Sequence, residues 1–161
     1  DRVVIFRPHN VYGPDMGWEH VIPQFILRAA ESIKRYPTDP VPFEIQGDGS
    51  QTRSFIYIED FTNGLEKVIE EGKHLEIYHI GTMDEISLRE VAEKVFKYFG
   101  RNFQFIHKPL PQGGTLRRCP DVSKLKKLGF KPNFSLDEGL KITIRKFYDI
   151  KANRELPSLR S

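Results

Sequence analysis

The stretch Val3-Val4-Ile5-Phe6-Arg7-Pro8-His9-Asn10-Val11-Tyr12-Gly13-Pro14 decides the fold class of this chain. Val3 to Phe6 is apolar without alternation, the pattern of a strand covered on both faces, as in parallel sheets. Pro8 is expected to end that strand. Asn10 and Tyr12 follow its carboxyl end, which is where open α/β sheets place their ligands. Only Asp1 and Arg2 precede the strand, with no Met, signal peptide or polar arm, so the chain reads as a fragment whose amino-terminal part is missing.

Downstream, strand and helix patterns alternate. After a loop over residues 9–19, Val21, Ile22, Phe25, Ile26 and Ala29 recur at helical spacing. Pro23 falls in that helix's first turn, and the helix is expected to fade near Tyr36-Pro37. A Pro-rich connection leads to a short strand over Phe43 to Gln46. Gly47-Asp48-Gly49-Ser50 is a tight turn by composition, and Arg53 to Ile58 alternates as one strand. Asp60 is read as the N-cap of a helix over Phe61 to Glu71, with Leu65, Val68 and Ile69 inward and Gly72 as its stop. Ile77 to Gly81 is a second short strand. Ser87-Leu88-Arg89-Glu90 is a capping box for a helix that turns Leu88, Val91, Val95, Phe96 and Phe99 inward and ends at Gly100. Phe103 to His107 alternates as a strand, and Pro109 to Pro120 is a Pro/Gly loop. Asp121 is read as capping a short helix through Leu128. Ser135-Leu136-Asp137-Glu138 is a second capping box, for a helix carrying Leu136, Leu140, Ile144 and Phe147 on one stripe. Residues 151–161 are polar and expected to fray. The alternation gives an α/β class. The strands near 3–7 and 77–81 are read as two members of a larger parallel sheet, and the rest as a small α/β lobe beside it.

The 161 residues make one domain or part of a larger one. Apolar residues are 39% of the chain and the net charge is only +3, which excludes disorder as a whole-chain reading. No window approaches the ~18 uninterrupted apolar residues of a membrane span. Cys119 is the one cysteine, so no internal disulfide can form and a reducing compartment, the cytoplasm, is expected. The basic residues are scattered rather than striped. They suit a small anionic ligand, and neither nucleic acid nor a membrane is expected as a partner.

No G-x-G-x-x-G, P-loop, H-E-x-x-H or C-x-x-C occurs. Gly47-x-Gly49 reads as a turn rather than a phosphate cradle. The histidines at 9, 20, 74, 79 and 107 show no ligand spacing, so no metal is expected. Arg28, Arg53, Arg117 and Arg118 lie on separate segments of the lobe. Each alone reads as a solvated side chain. Converging, they would clamp a diphosphate through charge-assisted bidentate bonds.

Arg7-Pro8-His9-Asn10-Val11-Tyr12-Gly13-Pro14 resembles the R-x-x-N-x-Y-G-P segment of the extended short-chain dehydrogenases/reductases, the nucleotide-sugar epimerases and dehydratases. The resemblance continues in order. His20-Val21-Ile22-Pro23 is similar to the family's helix start. Gln46-Gly47-Asp48-Gly49 through Arg53-Ser54-Phe55-Ile56-Tyr57-Ile58-Glu59-Asp60 is similar to its G-x-G-x-x-x-R-D-F-[IV]-x-V-x-D block. Tyr78-His79-Ile80-Gly81 resembles Y-N-I-G. Asp121 to Leu125, Leu128 to Pro132 and Ser135 to Leu140 resemble the carboxyl-terminal signature.

The resemblance implies the carboxyl-terminal half of an extended Rossmann-type reductase: the last strands of the parallel sheet plus the substrate-binding lobe. The family's Gly-rich turn and Tyr-x-x-x-Lys pair lie upstream of R-x-x-N-x-Y-G-P, and neither occurs here. NAD or NADP is the implied cofactor, walled by Pro8, His9 and Asn10 and seated mainly by the missing amino-terminal half. A nucleotide diphosphate-sugar is the implied substrate. Asn10, Val21, Phe25, Arg28, Glu44, Ile45, Gln46, Arg53 and Arg118 are its implied contacts, with Arg53 at the family's diphosphate arginine. Gln46 stands where many members carry an aromatic, Ser54 replaces the usual Asp, and the late loop lacks R-P-G-D. Thr115-Leu116-Arg117-Arg118 resembles the basic pair of the GDP-fucose synthase branch, which also has a His at the position of His20, a proton donor in epimerisation, and an Arg at that of Arg28. The intact protein is expected to be a homodimeric epimerase or dehydratase in carbohydrate biosynthesis, and this chain alone inactive. The alternative is a non-catalytic nucleotide-sugar-binding or regulatory module of the same fold.

Overall fold

β1 (Ile5–Pro8) runs parallel to β6 (Ile77–Ile80), with Ile5 opposite Ile77 and Pro8 opposite Ile80, in a computed structural model that describes residues 1–110 and 112–153. Between these strands lie β2 (Val11–Tyr12), α1 (Val21–Arg35), β3 (Val41–Gln46), β4 (Thr52–Ser54), β5 (Ile56–Tyr57) and α2 (Ile58–Glu71). After β6 come β7 (Glu85–Ser87), α3 (Leu88–Phe99), β8 (Phe103–Lys108), β9 (Arg117–Arg118), α4 (Ser123–Lys127) and α5 (Leu136–Asn153). β2 pairs with β5 and β3 with β8, both parallel. β4 lies between β7, antiparallel, and β9, parallel.

Two apolar cores organise these pieces. The larger joins α1, β3, α3 and α5 around Phe43, whose ring meets Phe25 and Phe96 edge-on at 5.4 and 5.1 Å between centroids. This is the small α/β lobe. The second packs Ile56, Val68, Tyr78, Ile80, Leu125 and Phe130 under the β1–β6 pair. Both capping boxes form. Ser87 Oγ accepts from Glu90 N at 3.1 Å and Ser135 Oγ from Glu138 N at 3.3 Å, and each glutamate accepts in return. Gly100 ends α3 in the left-handed conformation expected of a helix C-cap.

Several expectations are corrected. The strand read from Val3 to Phe6 begins at Ile5 and includes Pro8, and it is not covered on both faces. Ile5 and Phe6 are each 43% exposed, because α2, through Phe61, and the edge contact with β6 cover it only in part. The loop after it contains β2. Residues 53–58 are not one strand: Phe55 separates β4 from β5, which belong to different sheets. β7 goes unread because Glu85-Ile86-Ser87 is too short to show a period. The Pro/Gly loop contains β9, a pair held by β4 rather than by its own composition. Ile69 points outward on α2 at 58% exposure. α5 continues through Asn153, into the stretch expected to fray; residues 154–161 lie outside the described residues.

Asp60 is not an N-cap. α2 starts at Ile58, and Asp60 is its third residue, within the first turn and 1% exposed. Its two oxygens accept from the backbone N–H groups of Asn133 and Phe134 at 2.8 and 3.0 Å. The carboxylate therefore ties α2 to the chain that leads into α5, across 73 residues. Asn at this position keeps one acceptor and turns its amide against an N–H. Asp60→Asn is expected to cost about 1–3 kcal/mol, the penalty of a buried unpaired donor, read as a lower urea midpoint with unchanged slope. A midpoint equal to wild type would show the bonds to be dispensable.

Gly139 lies in the first turn of α5, where Ala usually stabilises a helix by about 1 kcal/mol. Here a Cβ would overlap the hydroxyl of buried Tyr12 and stand 2.9 Å from Tyr57 Cδ2. Gly139→Ala is thus expected to destabilise, by about 1–3 kcal/mol. A thermal midpoint at or above wild type would contradict this close approach.

Candidate functional site

The carboxyl end of β1 is extended by one ladder bond, His9 N to Ile80 O at 3.0 Å. The chain then turns at Asn10, whose φ of 40° is one that Asn tolerates better than most residues. Asn10 Nδ2 donates to Ser54 O at 2.8 Å, and Asn10 O accepts from Ile56 N at 3.3 Å. The end of the β1–β6 pair is therefore pinned to β4 and β5. His9 and His79 face each other, Nε2 to Nδ1 at 2.6 Å. Partial burial, then His79 and Arg7, push the His9 imidazole below its ordinary range. Pro8 is exposed at the strand's end.

Arg53 follows the turn that joins β3 to β4. Its guanidinium is aimed by backbone carbonyls: Nη1 donates to Thr52 O at 2.7 Å and Leu116 O at 3.4 Å, and Nη2 to Thr115 O at 2.8 Å. Arg118 stands opposite Arg53 in the ladder. Burial, and then the Arg118 charge, push the Arg53 guanidinium below its ordinary range. Two guanidinium-bearing residues paired on one face, with Arg53 bonded to carbonyls, form an electropositive notch of a kind suited to an anion.

Arg28 belongs to a second group. Its guanidinium lies 5.0 Å from the Phe43 ring centroid and donates to Glu44 O. Burial lowers its pKa, partly opposed by Glu44. Arg28, Ser32, Arg35, Phe43, Glu44 and Ile106 line an open cavity of about 380 Å³. Glu44 and Gln46 lie on the exposed face of β3, where Glu44 pairs with Lys108 at 3.0 Å. Ile45 points the other way and is 2% exposed, and Phe25 is 5% exposed. Their side chains are core, so only their backbone and rims can meet a ligand. Val21 is half-buried in the first turn of α1 and His20 is the exposed residue preceding it. His20 O accepts from Gln24 N at 3.0 Å.

The structure thus joins Asn10 to the Arg53–Arg118 notch through Ser54, and joins that notch to Glu44 and Gln46 through the Gly47–Gln51 turn. Arg28 borders the far end of the same run and His20 stands apart at the head of α1. Arg117, read with Arg118 as a basic pair, turns to Glu85 instead, Nε to Oε2 at 3.0 Å. Sequence reasoning missed Glu85 and Lys108; Lys108 ends an alternating strand, and its register with Gln46 has no local signal. Among the described residues no group of three His, Cys, Asp or Glu could hold a metal. For a nicotinamide dinucleotide, Pro8, His9 and Asn10 fit the part of a wall at the carboxyl end of a parallel pair. No Gly-rich turn in these residues fits its pyrophosphate. Among the described residues no helix is long and apolar enough to cross a membrane.

Residues 1–81 match the NAD dependent epimerase/dehydratase family. A UDP-N-acetyl-alpha-D-glucosaminuronate decarboxylase of Bacillus cytotoxicus is 35% identical over 159 residues, covering 92% of this chain and 47% of the relative. A trifunctional UDP-glucose 4,6-dehydratase/UDP-4-keto-6-deoxy-D-glucose 3,5-epimerase/UDP-4-keto-L-rhamnose-reductase of Arabidopsis thaliana is 35% identical over 147 residues, covering 88% of this chain and 20% of the relative. The solved structure of DesIV, a dTDP-glucose 4,6-dehydratase from Streptomyces venezuelae with NAD and TYD bound, is similar with a TM-score of 0.79 and 28% identity, over 94% of this chain and 45% of that one. The chain therefore spans under half the length of these relatives. On the match over residues 1–81, on the five ordered motifs and on the shared fold, this chain belongs to the NAD dependent epimerase/dehydratase family.

Proposed function

We propose that this chain is the nucleotide-sugar-binding part of an NAD-dependent epimerase or dehydratase. The observation that carries the reading is the Arg53–Arg118 notch, a pair of like charges held together at the carboxyl side of the sheet. A diphosphate entering it neutralises the repulsion and meets a guanidinium already oriented by three carbonyls, so little side-chain entropy is lost on binding. The base end of the ligand lies along Glu44, Gln46 and Arg28, and Val21 and the rim of Phe25 pack near it. The sugar points toward Asn10, at the end of β1.

A bound nicotinamide would accept and return a hydride at the sugar. This chain's own part is to wall that ring with Pro8, His9 and Asn10 and to hold the diphosphate so that the sugar lies against it. His20, exposed at the head of α1 and apart from the notch, is the proton donor that the family resemblance implies for epimerisation. NAD rather than NADP is the reading supported by the names of the relatives. The open edge of β1 pairs with further strands of the sheet, supplied by a longer polypeptide that dimerises, in the cytoplasm.

The test is titration of the chain with UDP and with GDP, followed by the same titration of Arg53→Lys. Lys carries the charge without the fork. A lost charge-assisted contact costs about 1.5–3 kcal/mol, so the dissociation constant should rise roughly 10- to 150-fold. If neither nucleotide binds, or Arg53→Lys stays within about twofold of wild type, a change of roughly 0.4 kcal/mol, the diphosphate reading is wrong.

A further inference from the structure

We infer that Glu85 is a positioning residue for the anion site: by tying β9 to β4 on one face of their sheet, it fixes Arg118 beside Arg53 on the other. The inference rests on the diphosphate reading of those two arginines.

β9 is two residues long and lies in a Pro/Gly-rich segment, so its ladder alone holds it weakly. Side chains alternate across a strand, and directly paired residues share a face. Thr52 pairs with Arg117, Arg53 with Arg118 and Ser54 with Glu85. Thr52, Arg117 and Glu85 therefore share one face, and Arg53 and Arg118 the opposite one. On the first face Glu85 reaches over β4. Arg117 Nε donates to its two oxygens at 3.1 and 3.0 Å, and Thr52 Oγ1 donates to Oε2 at 2.9 Å. One carboxylate on β7 thus binds the middle strand and the far strand together. Arg117, then Thr52, hold the Glu85 carboxyl below its usual range.

On the second face the two guanidinium groups repel each other. Arg118 Nη2 donates a long bond to Thr115 Oγ1 at 3.5 Å. Its position therefore depends on β9 staying in register, which is what the Glu85–Arg117 pair enforces. Glu85 bonds neither Arg53 nor Arg118, so its effect reaches the anion through the segment it holds: Arg118 on β9, and the Thr115 and Leu116 carbonyls before it that orient Arg53.

The experiment titrates the chain with the tighter-binding of UDP and GDP. The variants are Glu85→Gln, Arg118→Ala, both together, the exchange Glu85→Arg with Arg117→Glu, and Arg53→Lys. Glu85→Gln should weaken binding about three- to tenfold, part of one charge-assisted contact. Combining it with Arg118→Ala should cost clearly less than the sum of the two separate losses, since Arg118 is one of the two side chains that the β9 segment positions. The exchange should recover most of the loss. The thermal midpoint should stay within about 2 °C of wild type, because an exposed ion pair contributes little to stability. The inference is overturned if Arg53→Lys weakens binding while Glu85→Gln does not. It is also overturned if Glu85→Gln and Arg118→Ala lose affinity additively, or if the exchange recovers nothing. If Arg53→Lys itself leaves binding unchanged, the diphosphate reading fails and the role of Glu85 fails with it.

Discussion

β1 and β6 are parallel, and a parallel pair cannot be closed by a tight turn. The chain must travel away from the end of β1 and come back to the start of β6. Everything from Val11 to Glu76 is that crossover. It is far longer than one helix requires, and the surplus supplies α1 and β3 to the lobe, which α3, β8 and α5 complete after β6. Because the crossover leaves from the carboxyl end of β1, the lobe's groups are delivered to the side of the sheet where parallel strands present ligands.

The lobe needs its own core to be rigid enough to aim side chains. Phe43 provides its centre, touching α1 through Phe25 and α3 through Phe96. The β3–β8 pair places Phe43 opposite Phe105 on the inner face and Glu44 opposite Ile106 on the outer one. One register thus fixes both packing and the polar surface beside Arg28. Asp60 joins the two cores by a different means: a buried carboxylate satisfied by two backbone donors from the far end of the chain. Its bonds would leave three groups unpaired if broken, which makes it a discriminating tie rather than a general source of stability.

Charge is distributed economically around the anion site. Arg117 and Glu85 neutralise each other, and Glu44 is met by Lys108. Arg53 spends its donors on carbonyls, which orient the guanidinium without cancelling its charge. Arg53 therefore keeps its charge where it meets that of Arg118. Low shielding by partial burial increases what that charge is worth to an anion.

Local rules were enough for the parts of this protein held together by near neighbours. The two capping boxes, Gly100, the inward stripe of α3 and the Gly47–Ser50 turn involve residues a few positions apart, so their chemistry is written in consecutive letters. The α/β class, the expected positions of α1, β3, β6 and β8, and the motif that pointed to Arg53 and Asn10 were legible for the same reason. The tertiary structure alone decided the split of residues 53–58 between two sheets and the pairing of β9 with β4. It also moved Asp60 from a local cap to a link across 73 residues, put the Ile45 side chain in the core, and set Glu85 on Arg117. These depend on contacts between segments distant in sequence, each too short to carry a period. A two-residue strand has no preference of its own; it becomes a strand because a partner already stands beside it with unpaired backbone groups.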